Sequence, residues 1–191
     1  MSYHLKISAM VATDSEGQRE TQSRSGEHDA FEVLISEHQR MIHSLCYRMT
    51  GSLADAQDLA QETFIQAYSH WADFRGDAKV SSWLYRIAVN QCLNWNKQTS
   101  RRDRLHQEWS EEPREARAVE SAWGQHVRAA LLKLNPKQRA AVVLTTYDGL
   151  SHAEAAKALG CSETTVSWRL FAARRKLKGL LKDLEQRGAS Q

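Results

Sequence analysis

Punctuation for sheet is scarce in this sequence. Two prolines and nine glycines are spread over 191 residues. No alternating apolar run lies between Asn-Gly or Asp-Gly turns, which excludes a strand-and-hairpin architecture and leaves helix. Long apolar runs are missing as well. Mean hydropathy is −0.60, and no stretch approaches the roughly 18 apolar residues a spanning helix needs. The N-terminus lacks a basic segment followed by an apolar one, so no secretory signal is expected and the chain reads as cytoplasmic. Cysteine is sparse: Cys46, Cys92 and Cys161 are scattered, odd in number and unaccompanied at metal-ligand spacing, and read as small buried apolar residues. A helical di-metal site needs Glu-x-x-His on facing helices, and none of the eight histidines has Glu three residues earlier. With no Gly-rich phosphate loop, Ser/His/Asp or Cys/His arrangement, neither a metal, a cofactor nor an enzyme is expected.

What is present is a folding fraction of apolar residues, 41%, and an uneven distribution of charge around a net of only +3. Residues 27–72 carry seven acidic side chains against two basic, a net of −5, and residues 73–105 a net of +4. Residues 106–123 return to −3, and residues 124–191 hold +7. Two basic blocks separated by an acidic one point to two nucleic-acid surfaces on one string.

The boundaries follow the same pattern. Residues 1–26 are polar and without sustained apolar period, a disordered lead. From His28 to Met49, Phe31, Leu34, Ile35, Met41, Ile42, Leu45, Cys46 and Met49 recur at three- and four-residue steps, an amphipathic helix that Gly51 ends. Ser52 is the next N-cap, with Asp55 in the first turn. That helix runs to about Tyr68 with Leu53, Ala56, Leu59, Ala60, Phe64, Ala67, Tyr68 and Trp71 inward, and Asp58, Gln61, Glu62 and Ile65 outward. A loop around Asp73, Phe74, Arg75, Gly76 and Asp77 precedes a helix from Val80 to about Ser100. This helix is apolar almost all round at its start (Val80, Trp83, Leu84, Ile87, Ala88), as befits the centre of a bundle. Only Arg86, Asn90, Asn94, Lys97 and Arg101 escape, a ladder on one face. Residues 106–123 form a charged linker, and residues 183–191 a tail. The expectation is therefore an all-α chain: two small helical domains, 27–105 and 124–182, joined by a flexible linker.

The second unit has three marked helix starts: Asn135-Pro136, the capping box Ser151-His-Ala-Glu154, and Ser162. A short helix ending at Gly160, a turn and a long basic helix make a helix-turn-helix. Its second helix keeps Val166, Leu170, Ala173 and Leu177 inward. Glu163, Thr164, Thr165, Ser167, Trp168 and Arg169 then face a major groove, with Arg174, Arg175, Lys176 and Lys178 where phosphates lie. Trp168 has two readings on the sequence: contact with a sugar or a thymine methyl, or packing on Phe171 or the preceding helix. In the first unit, the loop and the ladder behind it suit an extruded base, with Phe74 as the stacking platform and Trp83 as a core anchor. An acidic face beside a basic one suggests two different partners.

These residues resemble the extracytoplasmic-function (ECF) sigma factors of bacterial RNA polymerase. The resemblance rests on Asp58-Leu-Ala-Gln-Glu-Thr-Phe-Ile-Gln-Ala-Tyr68, Phe74-Arg-Gly-Asp77, Trp83-Leu-Tyr-Arg-Ile-Ala-Val-Asn90 and the segment from Leu134-Asn-Pro to Leu177, in family order and spacing. It implies that residues 27–105 are region two and residues 124–182 region four. Asp58, Gln61, Glu62 and Ile65 would meet the clamp helices of the beta-prime subunit, and region four the beta flap. Phe74, Arg75, Gly76 and Asp77, with Asn90 behind them, would capture minus-ten bases, and the helix-turn-helix would bind the minus-thirty-five element. An anti-sigma factor is the implied restraining partner. The sequence departs from the family pattern at Val80, Ser167, Trp168 and Ala172, and the last three alter the recognition face, so promoter preference does not carry over. The alternative from a different class is a stand-alone helix-turn-helix transcription regulator.

Overall fold

The computed structural model describes residues 20–71, 73–74, 79–105 and 122–188, and these are helices and their connections, with no strand among them. The helices are α1 (Glu20–Thr50), α2 (Leu53–Ser69), α3 (Val80–Leu105), α4 (Ala122–Leu132), α5 (Pro136–Val142), α6 (His152–Leu159) and α7 (Glu163–Gly188). Among the described residues no helix is long and apolar enough to cross a membrane.

Four boundaries differ from the sequence reading: α4 begins at Ala122, inside the expected linker, and α7 runs to Gly188, into the expected tail. Helix α1 begins at Glu20, inside the stretch expected to be disordered. Once the stripe from Phe31 onward is anchored, each residue added upstream gains one hydrogen bond without a new nucleus, so the helix propagates. Helix α3 likewise runs five residues past Ser100.

Local chemistry sets the joints. Gly51 takes φ +80° after α1, and Ser52 Oγ accepts from the Asp55 amide at 3.3 Å to start α2. Asn135 Oδ1 accepts from the Lys137 amide at 2.9 Å, with Pro136 in the first turn of α5. Between α5 and α6 the chain forms a π turn, Val143–Tyr147. It is closed by Asp148 N–H to Val143 O at 3.1 Å and Leu150 N–H to Leu144 O at 2.9 Å. Ser151 and Glu154 cap each other reciprocally at the start of α6, and Gly160 at φ +57° ends it.

Helices α1, α2 and α3 pack around Phe31, Leu45, Met49, Phe64, Leu84 and Val89, all fully buried. Two side-chain bonds tie α3 to α2: Trp95 Nε1 to Asp55 Oδ1 at 3.2 Å and Gln91 Nε2 to Gln66 Oε1 at 2.8 Å. In the second half Val143, Leu144, Val166, Leu170 and Ala173 are the centre. Cys46 and Cys92 are buried free thiols, while Cys161 is half-buried. The hydrogen bond to Cys46, and then burial, push the Cys92 thiol up, so it stays protonated and inert. Leu53, expected inward, is exposed, because it opens the first turn of α2 where no neighbour covers it; Thr63 is buried instead and donates to Leu59 O at 2.7 Å.

The two helical units do not hang free of each other: their cores merge into one cluster. Helix α3 lies against α6, and α1 against α4. At the centre of the seam Arg139 of α5 is buried and donates to the carbonyls of Met49, Leu131 (3.1 Å), Leu132 (2.6 Å) and Leu134 (3.4 Å). Those are carbonyls at the C-terminal ends of α1 and α4, which helix geometry leaves without intrahelical partners. One guanidinium thus caps a helix from each unit.

Candidate nucleic-acid interface

Three surfaces carry the candidate residues. On α2, Asp58 and Glu62 are exposed, while Gln61 and Ile65 are half-buried at its edge. The acidic face is therefore narrower than the sequence suggests, because two of its four residues lie against the bundle.

On α3, Arg86, Asn90, Asn94 and Lys97 are all exposed, as a ladder of four- and three-residue steps requires on a 3.6-residue helix. The side chain of Arg101, and Arg75, Gly76 and Asp77 of the preceding loop, lie outside the described residues. Phe74 is half-buried. Its ring stacks on Trp71, with centroids 5.8 Å apart and planes 8° apart, and sits 4.9 Å from Trp83. Trp71 in turn meets Phe31 edge-on at 5.5 Å. The Phe74 ring is thus held by an aromatic cluster rooted in the core, and Trp83 is part of that root, half-buried at the start of α3. Aromatic packing of this kind holds a ring in one rotamer.

On α7 the expected recognition residues separate into two groups. Glu163, Thr164, Ser167, Trp168, Arg174 and Arg175 are exposed. Thr165, Arg169 and Lys176 are engaged within the fold. Thr165 hydroxyl lies 2.9 Å from Ser162 Oγ, and its amide donates to the same oxygen, so this threonine completes the helix cap. Arg169 is half-buried with Nη1 3.4 Å from Cys161 Sγ, holding the turn. Lys176 Nζ donates to Lys133 O at 2.6 Å at the end of α4. Ser167 Oγ, 3.1 Å from His152 Nδ1, links the two helices of the motif.

Of the two surroundings open to Trp168 on the sequence, the structure shows packing on Phe171, while both rings stay exposed. Trp168 and Phe171 are 67% and 61% exposed, and their rings meet edge to face, 6.0 Å apart at 87°. The three-residue step between them places both rings on one helix face.

Charge ties the units at their rim. Lys79, just before α3, lies 3.6 Å from Glu154 of α6. Bonds from the Ser151 backbone and hydroxyl, more than Lys79, hold the Glu154 carboxyl below its ordinary value. Arg48 lies 3.6 Å from Asp148 and 4.6 Å above the Tyr147 ring. Burial pushes the Asp148 carboxyl up to about 6, against the opposing pull of Arg48. Burial, and then Asp148, push the Tyr85 phenol beyond its ordinary range.

Comparison with known proteins matches residues 34–102 to sigma-70 region 2 and residues 125–177 to sigma-70 region 4. The chain is 37% identical over 160 residues to the ECF RNA polymerase sigma factor SigM of Mycobacterium tuberculosis, covering 82% of this chain and 80% of that one. It is 32% identical over 178 residues to SigW of Bacillus subtilis, covering 85% and 95%. Among solved structures it resembles CnrH in complex with the cytosolic domain of CnrY, with a TM-score of 0.64, 31% identity, and 85% and 94% of the two chains covered. It also resembles RpoE in complex with the anti-sigma factor NepR from Bartonella quintana, with a TM-score of 0.65, 25% identity, and 80% and 97% covered.

Proposed function

The chain belongs to the ECF sigma factors, which direct transcription, and on that footing we propose how it divides the work of promoter-specific initiation between its surfaces. Region two, residues 27–105, binds core RNA polymerase and the minus-ten element; region four, residues 124–182, binds the minus-thirty-five element and the beta flap. Exposed Asp58 and Glu62, with Gln61 and Ile65 at their edge, meet the beta-prime clamp helices. Arg86, Asn90, Asn94, Lys97 and Arg101 line the path of the melted non-template strand, and the loop Phe74, Arg75, Gly76 and Asp77 holds an extruded base. Thr164, Ser167 and Trp168 on α7 face base edges, and Arg174 and Arg175 face phosphates.

The observation that carries this reading is the pairing of α2 and α3. Two adjacent helices show carboxylates on one and a cation-and-amide ladder on the next, so the same small bundle offers one face to protein and one to DNA. No bond-making chemistry is needed. Captured bases and phosphate contacts offset the cost of unstacking, which is a few kcal/mol. A stand-alone helix-turn-helix regulator would leave the α3 ladder without a role.

The relative solved with the anti-sigma factor NepR supports an anti-sigma partner for this chain as well. The test is run-off transcription with purified core polymerase on promoters upstream of its own gene. Initiation at a double-stranded template that depends on this chain is expected. Failure to associate with sigma-free polymerase would end the proposal.

A further inference from the structure

Among the described residues, nothing covers the exposed aromatic pair on α7. Trp168 stands two residues after buried Val166, about 200° round the helix, and so points directly away from the core. Phe171, one turn on, shares that direction. Two large apolar rings more than 60% exposed are an unusual feature on a helix otherwise marked by charge. Their edge-to-face contact fixes both side chains, so little rotamer freedom remains to be lost when something covers them.

The flanks say what the occupant is. Thr164 and Ser167 beside the rings are exposed hydrogen-bonding groups, and Arg174 and Arg175, about 9 Å further along the helix axis, are exposed cations. A polar N-terminal end followed by a cationic margin complements a major groove followed by its phosphate wall. Within a duplex the base faces are stacked and closed to aromatic side chains. The apolar group that base edges display in the major groove is the thymine 5-methyl. We propose that Trp168 and Phe171 read thymine methyl groups, so that the minus-thirty-five element of this factor carries thymine where the pair lands. The proposal rests on the region-four reading above and adds the chemistry of its specificity.

The experiment uses the full chain with core polymerase to select duplexes from a randomised pool. Each thymine of the selected element is then replaced singly by deoxyuridine, which removes only the methyl. At one or two positions binding weakens about fourfold, the effect of losing one buried methyl-sized group. Trp168→Ser, which exposes no core, loses affinity for the thymine duplex and no longer distinguishes it from the deoxyuridine one. Indifference of the parent chain to every replacement overturns the proposal. A uniform loss across all sequences in Trp168→Ser also overturns it and assigns the ring to a sugar contact. An unchanged selection by Trp168→Ser overturns it in favour of a protein partner at this patch. Should the chain select no upstream element at all while still associating with polymerase, the region-four reading falls first and takes this proposal with it.

Discussion

Arg48 and Asp148 meet at 3.6 Å across the seam between the two units, with the Asp148 side chain only 7% exposed. The π turn places this carboxylate: the extra residue in the turn sets Tyr147 outside, under the Arg48 guanidinium, and directs Asp148 inward. One arginine of region two is therefore held by two consecutive residues of region four. The pair is nevertheless imperfect, since among the described residues Asp148 Oδ2 is buried without a hydrogen-bond partner.

That imperfection gives the packed form a pH dependence. The Asp148 carboxyl is raised from 3.8 to about 6, first by burial. Between those values the packed chain keeps a proton that the unfolded chain has released, so stability falls as pH rises through the window and levels off above about 6. Asp148→Asn removes this slope. At pH 7.5 it is expected to be more stable than the parent by at most about 3 kcal/mol, with little difference near pH 4. Urea melts at the two pH values decide it; a variant less stable at pH 7.5 would mean that attraction to Arg48 outweighs burial.

Arg139 is a second fastening, of different strength. Removing its guanidinium takes the donor from the carbonyls of Met49, Leu132 and Leu134, while Leu131 O keeps the Leu134 N–H, and burial already lowers its own pKa. Arg139→Met keeps the volume and loses every bond. A destabilisation of roughly 3 kcal/mol or more is expected, since unsatisfied buried groups lose their full desolvation energy. Arg139→Lys recovers only part, because an ammonium lacks the planar fork that reaches several carbonyls at once. Chemical denaturation of both variants gives the order, and equal stability of Lys and parent would refute the cap.

Gly51 is fixed by backbone and by neighbour. It sits at φ +80°, and a Cβ there would lie 2.5 Å from Leu132 Cδ1 of α4. Gly51→Ala is expected to lower stability by about 1–2 kcal/mol from the left-handed backbone alone, with the clash added. The double variant Gly51→Ala, Leu132→Ala separates the two: it regains the steric part of the Gly51→Ala loss and none of the backbone part. Additive losses in a double-mutant cycle would show that no clash existed.

How much of this could be read beforehand depends on range. The caps at Ser52, Asn135, Ser151 and Ser162 are local chemistry within three residues, and the structure has them where the sequence marks them. The outward ladder on α3 follows from period alone. The seam does not. Arg139 in a helix full of small residues looks like one more surface cation, and nothing near it reveals that its acceptors include Met49, 90 residues away. Asp148 stands beside Gly149 with no local sign of burial, and its place against Arg48 comes from a tertiary contact. The same limit applies on α7, where periodicity puts Thr165, Arg169 and Lys176 among the groove residues, while a cap, a thiol and a carbonyl engage them.

The acidic face of α2 is the place to separate the two kinds of partner. Glu62 is exposed and lies on a different helix from every proposed DNA contact, so reversing its charge should act on polymerase alone. Glu62→Lys is expected to weaken association with core polymerase by at least tenfold, the scale of one close charge pair converted to repulsion. Its minus-thirty-five affinity should stay that of the parent. Replacing Arg174 and Arg175 by Ala gives the mirror image: polymerase binding persists, while the slope of DNA affinity against salt flattens by nearly two, about 0.9 for each phosphate no longer neutralised. Titrating both variants against labelled polymerase and labelled duplex over a salt series reads the two effects independently. If Glu62→Lys lowers both affinities together, the charge acts on the fold rather than on a partner, and α2 is not the polymerase face.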